Sequence, residues 1–175
     1  MSSHGVPHEA QHTADQTAKR VGLLAALLAI GLTMVTIASH RTHTHGIVAR
    51  SEANDLWAYF QSKRIKYHTM ELGLDLIAAQ GLKGEAAEKV QEKFAAEKER
   101  QAKESEKIKE QAQEKEKEST HAEHKALRFD LAEGLFEIGL VMSSMFFLAH
   151  RKIFPAIGLL GGLAGTVLGI LGVLS

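Results

Sequence analysis

The sequence predicts an all-α membrane protein with three transmembrane helices. A long antiparallel, coiled-coil-like helical hairpin is inserted between the first and the second. Three observations predict this fold. Residues 21–39 and 153–174 contain no Asp, Glu, Lys or Arg, whereas residues 83–118 are almost wholly Glu, Lys, Gln and Ala. Residues 49–81 carry apolar side chains at alternating steps of four and three, the spacing of one helix face. The chain is 45% hydrophobic and 24% charged, yet the two classes are sorted into blocks. A water-soluble domain mixes them at short range; a bilayer imposes sorting.

The first span is Val21–Ser39, whose 19 uncharged residues cover roughly the ~30 Å hydrocarbon core at ~1.5 Å per residue. Lys19 and Arg20 precede it, as in a secretory leader. The apolar run exceeds the roughly 7–15 residues of a leader core, and only Thr36-Ile37-Ala38 weakly resembles a cleavage site, so an uncleaved anchor is expected. The second span is residues 131–149. A basic loop follows at His150-Arg151-Lys152, then the third span at 153–174, with Pro155 in its first turn where no backbone donor is needed. Backbone groups in hydrocarbon must pair internally, and these runs are too long for barrel strands. Residues 1–20 read as a disordered polar tail containing His4, His8 and His12.

Lys19 and Arg20 lie at the same membrane face as Arg151 and Lys152; Arg41, Arg50, Lys125 and Arg128 flank the other. Proximity to the spans favours the first set as the cytoplasmic one. The N-terminus is then cytoplasmic and the hairpin periplasmic, in a bacterial inner membrane.

Residues 40–130 form the extramembrane hairpin. Its first seam is Ala49, Ala53, Leu56, Phe60, Lys63, Tyr67, Met70, Leu74, Ile77 and Gly81. A turn near 81–84 uses Gly81 and Gly84, which tolerate positive φ. The second seam is Ala87, Gln91, Phe94, Lys98, Gln101, Ser105, Ile108, Ala112, Lys115, Ser119, Ala122, Ala126 and Phe129, and every glutamate from Glu85 to Glu123 lies off it. The alternative for 97–118 is a solvated helix held by pairs such as Glu85–Lys89 and Glu99–Lys103, each contributing ~0.2–0.5 kcal/mol. Helices over 46–80 and 85–128 would project about 50–65 Å from the bilayer. Trp57, Tyr59, Phe60 and Tyr67 give the first helix more aromatic surface than the second can cover, which predicts a homo-oligomer.

The run SEANDLWAYFQSKRIKY at Ser51–Tyr67 resembles a bacterial membrane family known as domain of unknown function 4337. The matching residues are Glu52, Ala53, Asp55, Trp57, Ala58, Tyr59, Phe60, Gln61, Lys63, Ile65 and Lys66. Segments 40–44 and 128–133 and the basic loop are also similar to that family. The resemblance implies one anchor, a helical insert and a terminal transmembrane pair, and it carries no activity.

Chemistry-bearing residues are few. Absent cysteines exclude disulfides and thiolate metal sites, and zero net charge argues against a nucleic-acid partner. His121 and His124 lack a Ser or Cys set for nucleophilic catalysis, so no enzyme and no cofactor are expected. Glu133 and Glu137 form an intramembrane polar site or lie among headgroups; a carboxylate at the bilayer centre costs roughly 2.5–3.5 kcal/mol. Gly161, Gly165 and Gly169 repeat at four-residue steps and are expected to pack helices closely, together with Leu56, Phe60, Tyr67, Met70, Leu74 and Ile77 in the oligomer. Trp57 and Tyr59 are a candidate interaction patch. His40, His43 and His45 are weak metal candidates, with solvated or interfacial histidines the plainer reading. The leading functional expectation is a homo-oligomeric membrane scaffold that recruits a protein partner. The alternative is a small cation channel or transporter accessory using Glu133 and Glu137.

Overall fold

The computed structural model describes residues 8–175, with side chains from Gln16 onward. It contains three helices: α1 at His8–Ala79, α2 at Glu85–Ala149 and α3 at Ile153–Leu174. Each includes a stretch long and apolar enough to cross a membrane. The backbone of residues 8–20, where a disordered tail was expected, is already part of α1. Helices α1 and α2 also run without a break through 40–45 and 129–130, since no proline interrupts either junction.

The helix ends follow from local chemistry. After Ala79, Gly81 adopts φ +62°, its N–H donates to Ala78 O at 3.1 Å, and the Leu82 N–H donates to Ile77 O at 3.4 Å. This pair of bonds is a Schellman cap, which satisfies carbonyls that the ended helix leaves free. Gly84, at φ +108°, precedes α2, whose first turn carries Glu85 and Glu88 where the helix dipole favours negative charge. At the other end of α2, His150 has φ +55° and its N–H donates to Phe146 O at 2.8 Å. A non-glycine residue in that conformation is strained by roughly 1 kcal/mol or more, so His150→Gly should raise the thermal midpoint slightly.

Contacts divide the chain into two compact units: residues up to Thr44 with Ala122–Ser175, and His45–His121. In the second unit, Gly46 meets Ser119, Glu52 meets Lys115, Lys63 meets Glu104, Glu71 meets Lys98 and Gly73 meets Phe94. The partners descend along α2 as they ascend along α1. Ala49, Ala53, Ala112 and Ser119 are almost completely buried, so small side chains line the closest approach of the two backbones. Farther along, Leu56, Phe60, Tyr67, Met70, Leu74 and Ile77 are half-buried.

In the first unit, three helical segments enclose Leu28, Val35, Phe129, Ala132 and Phe136. The short 150–152 connection folds α3 back along α2. Gly139 and Gly158 face each other so closely that a Cβ on either would stand 2.7–2.9 Å from the other's carbonyl oxygen. Thr33 and Thr166 donate to the carbonyls of Ala29 and Gly162 at 2.9 and 2.7 Å, which pairs their hydroxyls within their own helices.

Candidate functional site

The polar groups that the fold brings together lie in two clusters. The first is centred on Lys63, a seam residue whose side chain is 9% exposed. Its ammonium bonds Glu104 and lies 5.2 Å from the centre of the Tyr59 ring. The Glu104 hydrogen bond, opposed by burial, holds the Lys63 amine above its usual range, and the same bond holds the Glu104 carboxyl below its own. Beside them, Gln101 is buried; its amide N–H donates to Glu97 at 2.6 Å while its carbonyl oxygen has no partner. Such an unpaired buried acceptor costs about 1–3 kcal/mol, which offsets part of what the Lys63–Glu104 pair contributes.

Two further pairs repeat the pattern. Glu71 accepts from Lys98 at 2.7 Å, and Lys115 bridges Glu52 at 2.8 Å and Glu118 at 2.9 Å. Hydrogen bonds lower the Glu71 and Glu118 carboxyls and raise the Lys98 and Lys115 amines. Depressed carboxyls stabilise the fold above their unfolded pKa, and that contribution disappears as pH falls through the lower folded values. Raised amines stabilise it below their unfolded pKa, and that contribution is lost as pH rises through the folded values. The thermal midpoint of this unit should therefore be flat from about pH 5 to 10 and fall below about pH 4. Circular dichroism melts across that range measure it. The drop should be modest, since water screens these exposed pairs.

The second cluster joins α1 and α2 in the first unit. Thr36 donates to Glu133 at 2.7 Å, Ser39 donates to Asp130 at 2.5 Å, and His43 Nε2 lies 3.0 Å from Asp130 Oδ2. Thr36, Ser39 and His43 stand at helical spacing on one face of α1, opposite the acidic face of α2. Glu137, one turn beyond Glu133, is exposed.

Several expected residues take other partners than the sequence suggested. The boundary histidines do not converge on a metal: His43 pairs with Asp130, His45 pairs with Glu118 at 3.1 Å, and His40 is exposed. Among the described residues no group of three or more His, Cys, Asp or Glu could hold a metal ion. His4 and the side chains of His8 and His12 lie outside the described residues. Gly161 and Gly165 face α2 of the same chain, at Leu135 O and at Ala132 O with the Phe136 ring, while Gly169 faces Val35 of α1. These glycines, expected to pack helices between or within subunits, meet helices of their own chain, because the short loop returns α3 onto its neighbours. Trp57 packs edge-on against Phe60, their centres 5.6 Å apart, and Tyr59 is half exposed. Thr36, Ser39 and Gly73 escape a reading by apolar spacing. Gly73 leaves room for the Phe94 ring, and its only sequence signal is a glycine inside an otherwise strong helix.

No curated protein and no solved structure matches the chain. A family model, the domain of unknown function DUF4337, matches residues 17–175. That match takes in both clusters and all three apolar stretches, and the chain belongs to this uncharacterised family.

Proposed function

We propose that the protein is a homo-oligomeric, membrane-anchored scaffold that presents a long antiparallel helical hairpin to a protein partner on one side of the bilayer. The observation that carries this reading is a second apolar stripe on α1. Ile65, Leu72 and Leu76 are 67, 59 and 51% exposed, and with Thr69 they follow the same four-and-three spacing as the seam. A stripe of that spacing is a surface for another helix, and a second copy of α1 supplies a matching one. Its neighbour Tyr59 adds exposed aromatic area. The cation-channel reading draws less support, because Glu133 is bonded to Thr36 and Glu137 alone stays open.

The test is the mass of the assembly in detergent and in nanodiscs. Leu72→Glu with Leu76→Glu should reduce the wild-type oligomer to monomer while leaving helical content unchanged. A wild-type monomer in several mild detergents, or a double variant that stays oligomeric, refutes this interface.

A further inference from the structure

Two adjoining cavities open between α1 and α3 in the first unit, of about 360 and 390 Å³. They share Met34, Ala38, Phe129 and Val173, so they form one groove. The inner part is apolar except for Thr166, and the outer part ends on Arg41, Thr42 and Lys125. Among the described residues neither Arg41 nor Lys125 has a carboxylate partner, whereas the lysines of the first cluster are paired. An apolar channel that ends on two unneutralised cations, at the end of an apolar span, matches an anionic amphiphile in both parts.

We infer that the groove binds one anionic phospholipid, an acyl chain lying along Met34, Val35 and Phe136 and the phosphate between Arg41 and Lys125. Basic sites between membrane helices bind such headgroups by charge, and the apolar lining takes the chain that water would reject. The site rests on reading the helices as membrane spans, and it is independent of the oligomer.

The experiment is native mass spectrometry of the full chain, delipidated and then equilibrated with phosphatidylglycerol or phosphatidylcholine of the same acyl chains. Wild type should retain one phosphatidylglycerol per chain and little phosphatidylcholine. Arg41→Gln with Lys125→Gln should weaken retention roughly 30-fold, from two lost headgroup contacts. Lys152→Gln, at the basic loop, should leave it unchanged. Equal retention of both lipids, indifference to the double variant, or displacement by millimolar inorganic phosphate overturns the site. Failure of the membrane reading shows separately: the untagged protein would stay in the supernatant of a detergent-free high-speed spin.

Discussion

Gly158→Leu should keep α2 and α3 from closing, with a loss of about 3 kcal/mol or more in the first unit. Adding one Cβ at Gly158 places it 2.1 Å from Ser143 Oγ and 2.7 Å from Gly139 O. The serine hydroxyl can rotate, but the carbonyl belongs to a helix backbone and cannot. Overpacking a tight core costs typically 1–3 kcal/mol, and the remaining atoms of leucine add to that. The gain from removing a helical glycine, about 1 kcal/mol, is too small to offset it. Other glycines grade the effect. Gly169→Ala meets Val35 at an ordinary 3.5 Å and should be tolerated, and Gly22→Ala and Gly134→Ala, whose Cβ meets nothing within 4 Å, should be neutral. The thermal midpoint of the detergent-solubilised chain measures it. A Gly158→Leu chain as stable as Gly22→Ala would mean that the close α2–α3 contact is wrong.

This contact also marks where sequence reasoning stops. The helix ends were legible because Gly81, Gly84 and the basic 150–152 loop each carry a local cause. The buried stripe at 49–77 was legible because a helix repeats every 3.6 residues whatever it packs against. Periodicity gives the phase of a face and not its occupant. On α3 the eye takes Gly161, Gly165 and Gly169 as one four-residue ridge. The structure instead sets Gly158, Gly165 and Gly172 against α2 and Gly162 and Gly169 against α1, two lines at seven-residue steps. The polar cluster escaped for a related reason. Glu133 was read on its own helix, whereas its partner Thr36, like Ser39 opposite Asp130, lies about ninety residues away in sequence and looks like an ordinary membrane-span residue. A carboxylate's cost in an apolar setting depends on such partners, which one helix alone does not reveal.

The second large effect is expected at Ala112→Glu, which should open the second unit by about 3–5 kcal/mol. Ala53 and Ala112 are both 0% exposed, and they lie between the Gly46–Ser119 and Lys63–Glu104 contacts that hold the two backbones together. A carboxylate there is shut off from water unless the helices separate, and the nearest seam cation, Lys115, is already bridged to Glu52 and Glu118. Burial would also raise its pKa, so the folded state is penalised above that value and relieved as pH falls through it. The sign is opposite to that of the native ion pairs, whose contribution is lost in acid. The difference in thermal midpoint between wild type and Ala112→Glu should therefore shrink as pH is lowered from 8 to about 5, even while wild type itself stays constant. Gln111→Glu and Gln113→Glu, the same charge change at exposed neighbours, should have little effect. Amide hydrogen exchange locates the damage: protection should fall across 46–60 and 104–119 and persist around Phe129 and Phe136, whose core does not include Ala112. An Ala112→Glu chain as stable as wild type at pH 8 would mean that α1 and α2 do not meet along this alanine face, and the proposed hairpin would lose its physical basis.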